Sequence, residues 1–293
     1  MTDYGVSFDK KPVYRKDNAM SIIIISSDSD SIGREIAAKT AKAEGYEFQG
    51  RELLGKVADT YQIEKTKLAK ALDEMPSFLG MSTKLRNRYL AYIQEATLGA
   101  LLKEKVVCQG LAAHLYVLGV SHVLSVRILA DAEKSLQQSV SKKGISHKEA
   151  RKLIDRRNKL RRRWSMDAFN LDETDPSQYD LVINLSHIDG DEAGKIISET
   201  VAYRRFNPMT YSIECLQDLE LAGRVRAALL EHFPDVRLRA RGGTLVVETT
   251  ALKREKQKRA KAIKEIAGKI PGVEYVEVHV INDIFRQAAE SFR

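Results

Sequence analysis

Cysteine is scarce in this chain, and long apolar runs are absent. Only Cys108 and Cys215 occur among the 293 residues, too few and too far apart for a disulfide framework or a cysteine metal site. No apolar run approaches the roughly 20 residues that a membrane-spanning helix needs. Met1 to Ala19 is polar and lacks the apolar segment of a signal peptide. We therefore expect a cytoplasmic protein without transmembrane segments, whose residues 1–20 form a flexible tail.

Several catalytic patterns are missing as well. The six histidines show no metal-ligand spacing, and the sequence alone does not assemble a Ser/His/Asp or Cys/His arrangement. Acidic residues are fewer than basic ones, which gives the chain a net charge of +8. This excess favours anionic partners, such as nucleotides, nucleic acid or lipid headgroups, without choosing among them.

What the sequence does contain is a buried-strand pattern followed by a small polar loop. Ile22 to Ile25 are β-branched and uninterrupted by polar residues, which favours a strand buried on both faces of a parallel sheet. A Ser/Asp/Gly loop follows, and residues 34–44 are typical of a helix ended by Gly45. Strand, loop and helix N-terminus together predict an anion site. Its candidate nucleotide-binding residues are Ser26, Asp28, Ser29, Asp30, Ser31, Ile32, Gly33, Arg34 and Glu35.

The composition of this loop is unusual for a phosphate site. It has one glycine, Gly33, and no lysine, with Ile32 where a cation would help and with Asp28 and Asp30 nearby. A carboxylate about 4 Å from a phosphate charge costs roughly 1 to 4 kcal/mol. Either Mg²⁺ offsets this repulsion, or nucleotide binds weakly. An ordinary strand-to-helix turn capped by Ser or Asp explains the same residues.

Strand and helix patterns alternate through the first two thirds of the chain, which predicts an α/β fold with a parallel sheet. Residues 206–217, with Asn207-Pro208, are predicted to be a linker. The remaining pattern has the order αββαβ, with Gly242-Gly243 as a hairpin signal. Beyond the first strand and helix, we predict strands at 105–108, 121–129, 180–184, 236–240, 244–249 and 273–281, and helices at 51–61, 65–73, 82–103, 132–142, 146–164, 191–203, 218–233 and 253–270.

The densest cluster of cations lies between Arg151 and Trp164. Helical spacing places Arg157 and Arg161 on adjacent turns of one face and predicts that Leu153, Leu160 and Trp164 face inward. Guanidinium groups suit phosphates and the charge that develops in phosphoryl transfer, which makes Arg157 and Arg161 candidate catalytic residues. A solvated basic face or a nonspecific nucleic-acid patch remains the alternative.

With these features in view, residues 21–205 resemble the cytidylate kinase-like branch of the P-loop nucleoside monophosphate kinases. The phosphate loop, the second strand and its glycine turn, the strand leading to the lid, the lid helix and the closing strand all take part. The corresponding stretches are Ile25–Ala37, Val106–His114, Val126–Ala130, Ile154–Arg161 and Asp175–Asn184. The sequence departs from the family pattern at Ser27, Ile32, Gln109, Ser135 and Asn158.

The resemblance implies ATP-dependent phosphoryl transfer to CMP or dCMP, with ATP and Mg²⁺ as cofactors and a weakened phosphate loop. It implies that the loop holds the donor and that Arg157 and Arg161 close over the transferring group. The alternative is a nucleotide-binding pseudokinase or sensor. Specific nucleic-acid binding is not expected.

The C-terminal part carries a second resemblance. Residues 218–281 resemble a BON domain, a small αββαβ module associated with protein or anionic lipid contacts. The expected fold class is therefore α/β, with a P-loop kinase-like parallel sheet flanked by helices and followed by a small α+β BON-like domain. The expected division is a tail at 1–20, a kinase-like domain at 21–205, a linker at 206–217 and a BON-like domain at 218–293.

Overall fold

A computed structural model describes residues 21–77, 80–131, 136, 137, 140 and 144–282, with the backbone alone at Arg157. The predicted tail at 1–20, Ser135, most of the predicted helix at 132–142 and the side chain of Arg157 lie outside the described residues.

The first sheet has five parallel strands in the order β2-β3-β1-β4-β5, which confirms the predicted parallel sheet. The central strand, β1, is buried along its whole length because neighbours cover both of its edges and helices cover both of its faces. Its run of isoleucines follows from that position. β2 was not expected from the sequence. The strands are β1 (Ile22–Ser27), β2 (Glu47–Gln49), β3 (Val106–Gln109), β4 (Val123–Leu129) and β5 (Leu181–Asn184).

Two hydrophobic clusters cover the two faces of this sheet. Ile23 and Ile25 pack with residues of α1 and α7, whereas Ile22 and Ile24 pack with residues of α2 to α5 and with Trp164 of α6. The helices are α1 (Asp30–Glu44), α2 (Leu53–Tyr61), α3 (Lys65–Asp73), α4 (Thr83–Leu101), α5 (Ala113–Tyr116), α6 (His147–Phe169) and α7 (Gly190–Val201). Short 3-10 turns lie at Pro176–Gln178 and Arg204–Phe206.

The arginine-rich helix α6 starts with a capping box formed by Ser146 and Glu149. Trp164 is 4% exposed, and its Nε1 donates to the carbonyl of Ala71 at 3.0 Å. Leu153 and Leu160 are 43% and 39% exposed, so the prediction that they face inward was wrong. Helical phase alone placed them with Trp164, but these earlier turns of α6 do not bury that face.

The C-terminal elements follow the predicted αββαβ order, with one change at the start. A single helix begins at Thr210, where the sequence predicted a linker up to residue 217. A sheet of order β6-β7-β8 packs on α8 and α9, with an antiparallel β6–β7 pair and a parallel β7–β8 pair. The elements are α8 (Thr210–Leu230), β6 (Arg237–Arg241), β7 (Thr244–Ala251), a 3-10 turn (Lys253–Glu255), α9 (Lys256–Ala267) and β8 (Tyr275–Asn282).

α8 lies closely against α4 of the first part. A Cβ atom built on Gly223 would lie 3.4 Å from Leu98 Cδ1 and 3.6 Å from the Cα of Glu95. Leu216 belongs to the same cluster as the residues beneath the first sheet, and Ala91 of α4 belongs to the C-terminal cluster. α8 therefore contributes to both cores. The division into domains at 21–205 and 218–293 stays a prediction.

Candidate functional site

A cleft opens beyond the carboxyl ends of β1 and β3, beside the start of α1. This is where open parallel α/β sheets bind their ligands. The cleft takes residues from the end of β1 and the start of α1, from the turn after β3, from the segment before α2, and from α3 and α6. It is lined by Ser26, Ser27, Asp30, Arg51, Leu72, Gln109, Gly110, Leu111, Ala112, His114, Arg161 and Trp164.

The loop after β1 brings the N-terminus of α1 to this cleft. Ser29 is the N-cap in an extended conformation, and its side chain makes no capping hydrogen bond. Its hydroxyl lies 3.4 Å from that of Ser31. The first-turn N–H groups of a helix have no partner within the helix, so they are available to an anion. A Cβ atom on Gly33 would lie 2.6 Å from Ser27 Cβ, and this glycine therefore allows α1 to approach β1.

The two aspartates of the loop have different surroundings. Asp28 Oδ1 accepts a hydrogen bond from the backbone N–H of Ala130 at 2.8 Å and so joins the end of β1 to the end of β4. Asp30 lies in the cleft, where Oδ1 accepts from Gln109 Nε2 at 3.2 Å and lies 3.6 Å from Arg51 Nε. The charge of Asp30 is thus shared with a cation of the same site.

Three predicted loop residues direct their side chains elsewhere. Ile32 packs against the hydrophobic cluster between the sheet and α1 and α7, so it does not occupy the place of a loop cation. Arg34 Nη1 lies 2.8 Å from Glu52, and its guanidinium covers the ring of Phe48. Glu35 pairs with a lysine one turn further along at 3.0 Å. These residues can serve the cleft through their backbone only, because the first turns of α1 hold their side chains outside it.

Arg51, which the sequence analysis did not single out, lies in the cleft just before α2. Its guanidinium makes two hydrogen bonds to the carboxylate of Asp73, one of them at 2.7 Å. Together with the contact to Asp30, this places Arg51 between two carboxylates. The available signal was its position two residues after the end of β2, but β2 itself was not predicted from the sequence.

Arg161 lines the opposite wall of the cleft from α6. Its Nε and Nη2 both donate to the carboxylate of Glu173, the second at 3.0 Å. Glu173 is fully buried, and it raises the pKa of Arg161 although burial of the guanidinium acts in the opposite direction. Arg157 begins the preceding turn of the same helix, with a side chain outside the described residues. Its role and that of Arg161 stay predictions.

Arg127 is a third arginine at this end of the sheet. It lies on β4 beside Ser26 of β1, is 6% exposed, and donates from Nη1 to Ser26 Oγ at 2.8 Å. Its guanidinium also lies over the ring of Tyr179. Its position as the single charged side chain of a largely apolar strand was the signal that could have identified it.

His114 is a buried, uncharged group in the wall of the cleft. It is 4% exposed, its Nε2 has no hydrogen-bond partner among the described residues, and this atom lies 4.0 Å from Glu173 Oε2. Burial, followed by the charges of Arg161 and Arg127, lowers the pKa of His114 to about 3. The imidazole is therefore neutral at physiological pH.

This depressed pKa predicts that acid weakens the fold. The unfolded chain protonates His114 near its ordinary pKa of about 6.5, whereas the folded chain does not. Stability is then complete above about pH 6.5 and falls by up to about 1.4 kcal/mol per pH unit below it, until the folded pKa is reached. Urea unfolding measured from about pH 7 to pH 5 should show this loss, and His114→Gln should reduce it. His187→Gln, which changes an exposed histidine, is the matched control. Equal slopes for all three proteins would contradict the prediction.

The fold combines a five-stranded parallel sheet flanked by helices with a cleft at the carboxyl ends of its strands. The family model described as the cytidylate kinase-like family matches residues 22–187, which is more than half of the chain. The chain therefore belongs to the cytidylate kinase-like family. No curated protein matches it.

Three solved structures are partly similar to this chain. An uncharacterized protein from Eubacterium ventriosum is 21% identical, with a TM-score of 0.46 over 63% of this chain and 99% of its own. Shikimate kinase from Bacteroides thetaiotaomicron is 9% identical, with a TM-score of 0.40 over 62% and 99%. Dephospho-CoA kinase from Campylobacter jejuni is 11% identical, with a TM-score of 0.32 over 61% and 96%. At these values the three likenesses add nothing to the family assignment.

The described residues contain no group of three or more His, Cys, Asp or Glu side chains that could hold a metal ion. Mg²⁺ in phosphoryl-transfer sites needs only one or two carboxylates, since phosphates and water supply the other ligands. Asp30 in the cleft fits that requirement. None of the described helices has the length and hydrophobicity of a transmembrane span.

Proposed function

We propose that the chain catalyses ATP-dependent phosphoryl transfer to CMP or dCMP in this cleft. The observation that supports it most directly is the arrangement of Arg51, Arg127 and Arg161. Arg51 and Arg161 line the cleft, and Arg127 donates to Ser26, another residue of the cleft lining. Arginine suits phosphate because its planar guanidinium can donate two parallel hydrogen bonds.

Each group has a distinct role in this proposal. The first-turn N–H groups of α1, with Ser26 and Ser27, hold the phosphates of the donor. Arg51 holds the phosphate of the acceptor, and Arg161 with Arg157 stabilises the charge on the transferring group. Phosphoryl transfer needs little covalent chemistry from the protein, so positioning and electrostatic stabilisation account for the catalysis. Asp30 and the nucleotide phosphates would hold Mg²⁺, which supplies positive charge that the loop lacks.

A second candidate function is nucleotide binding without turnover. It is favoured by the pairing of the two cleft arginines with carboxylates, Arg51 with Asp73 and Asp30, and Arg161 with Glu173. A phosphate must compete with these partners, so affinity and turnover should be low. In this case the C-terminal part, as a BON-like module, would pass the bound state to a protein or an anionic lipid.

Calorimetric titration with ATP, CMP and dCMP, each with and without Mg²⁺, separates the two candidates. An enzyme of this type binds both donor and acceptor and forms CDP or dCDP in a coupled assay. Binding of one nucleotide without product formation supports the sensor. Binding of none of them contradicts both.

Removal of the Asp30 charge should raise the affinity for ATP when Mg²⁺ is absent. Asp30→Asn keeps the shape of the side chain and removes a carboxylate whose repulsion of a phosphate is about 1 to 4 kcal/mol at contact distance. We expect ATP to bind about five- to a thousandfold more tightly without Mg²⁺, with a smaller gain from added Mg²⁺. Asp59→Asn on α2, which is exposed and does not line the cleft, should leave both affinities unchanged. Equal ATP affinities in Asp30→Asn and the wild type would show that the phosphates lie elsewhere.

A further inference from the structure

The sheet formed by β6, β7 and β8 has one covered face and one open face. α8 and α9 cover the inner face, where alternate residues of the strands are buried. The outer face carries the other alternate residues, because side chains of a strand point to opposite sides in turn. The exposed positions on this open face begin with Arg237, Arg239 and Arg241 of β6.

These three arginines form a straight row along the edge strand. Successive members are two residues apart, which corresponds to about 6.8 Å along an antiparallel strand. All three are exposed, and none makes an ion pair with another described residue. Glu248 lies directly opposite Arg237 in the register without pairing with it. The row therefore keeps three guanidinium groups available to an external anion.

An aromatic ring lies on the same face. Register places Arg241 opposite Thr244, and Thr244 beside Tyr275 of β8, so the ring and the arginine row are two strands apart. Tyr275 is 59% exposed. The acidic residue next along β8, Glu277, is paired with His279 at 3.0 Å, and Val246 of β7 separates it from Arg239 in the register.

We propose that this open face binds single-stranded nucleic acid without sequence preference. A row of cations that follows the phosphates, beside an exposed aromatic ring on which a base stacks, is the arrangement that such binding requires. The regular spacing of the row fits a polymer of phosphates, and the net charge of +8 adds long-range attraction for a polyanion. The cleft of the first sheet takes no part in this contact.

Fluorescence anisotropy of the full chain with a labelled oligo-dT of about 12 nucleotides, a length within the usual range of site sizes, tests the proposal. The triple variant Arg237→Gln, Arg239→Gln, Arg241→Gln should bind at least tenfold more weakly. The slope of log binding constant against log salt concentration should be less steep by about 2. Each phosphate contact on a single strand contributes about 0.7 to that slope. Tyr275→Ala should lower the affinity for oligo-dT about five- to a hundredfold, and Tyr275→Phe should bind like the wild type.

The matched control removes the same charge from another surface. Lys253→Gln, Lys258→Gln, Lys264→Gln alters exposed positions in the segment that covers the inner face of the sheet. This variant should bind oligo-dT with an affinity within about twofold of the wild type. Equal losses in the two triple variants would reduce the effect to net charge and overturn the proposal.

Two further results would also overturn it. In one, binding to vesicles with anionic lipid depends on the arginine row and binding to oligo-dT does not. The face would then be a membrane-binding surface. In the other, the arginine variant becomes oligomeric with unchanged binding of oligo-dT. The row would then serve to keep the exposed edge strand from pairing with a second copy. Thermal unfolding of each variant confirms that the fold is intact.

Discussion

Arg161→Ala is expected to lower the free energy of unfolding by about 3 to 5 kcal/mol, because it leaves a buried carboxylate without its partner. Glu173 is fully buried and accepts two hydrogen bonds from this guanidinium. Urea unfolding followed by circular dichroism measures the loss. Arg162→Ala is the matched control, since Arg162 is 67% exposed and its pair with Asp172 should contribute less than about 1 kcal/mol.

The same position carries a predicted role in phosphoryl transfer, so the structural effect must be separated from it. Adding Glu173→Gln to Arg161→Ala removes the uncompensated charge and should restore about half or more of the stability. The double variant should still bind nucleotide weakly, because the guanidinium of Arg161 is missing from the cleft. Recovery of nucleotide binding together with stability would show that Arg161 acts only as the partner of Glu173. A stability loss no larger than that of Arg162→Ala would contradict the structural argument.

Truncation after Asn207 is expected to leave a fragment that does not fold stably. It removes α8, whose Leu216 lies in the core beneath the first sheet and whose Gly223 lies against Leu98. Exposure of a fully buried leucine costs about 1.5 to 3 kcal/mol, and α8 covers several apolar residues of α4. The total approaches the whole stability of a typical domain, which is about 5 to 15 kcal/mol. Thermal unfolding and near-ultraviolet circular dichroism of the fragment provide the measurement.

The full chain, measured under the same conditions, is the control. It should unfold cooperatively and at a higher temperature than the fragment, because α8 completes its core. If the fragment also unfolds cooperatively near the temperature of the full chain, α8 is dispensable and the predicted division at 206–217 gains support. Limited proteolysis tests independently whether α8 and the first sheet form one folded unit. A cut within 210–217 that yields two resistant pieces requires the Thr210 end of α8 to open.

Sequence patterns predicted most of the helices and strands, because hydrophobic periodicity and turn residues reflect interactions between residues close in the chain. The isoleucine run of β1 predicted a buried parallel strand, and the αββαβ order of the C-terminal part was predicted by strand alternation and by Gly242-Gly243. The start of α8 was misplaced because Asn207-Pro208 suggested a connection, whereas packing against α4 extends the helix to Thr210. β2 escaped prediction because three residues carry too little periodicity to distinguish a strand from a loop.

The site divides in the same way between local and distant effects. The chain order of strand, loop and helix was sufficient to predict an anion site at the start of α1, since the helix N-terminus creates it. The side chains that face the cleft could not be read from that order. Ile32 was assigned to the phosphates because of its position in the loop, but burial against the sheet core is more favourable for its side chain than exposure in a polar cleft.

The sequence by itself determined the class of fold, the order of its elements and the basic character of the chain, because hydrophobic periodicity, turn residues and net charge are properties of neighbouring residues. Only the tertiary structure decided which charges meet. Arg51 joins Asp73 and Asp30, Arg161 joins Glu173, and Arg127 joins Ser26, although up to 101 residues separate the partners. These contacts depend on how the strand ends and helices come together in space, and no local pattern carries that information.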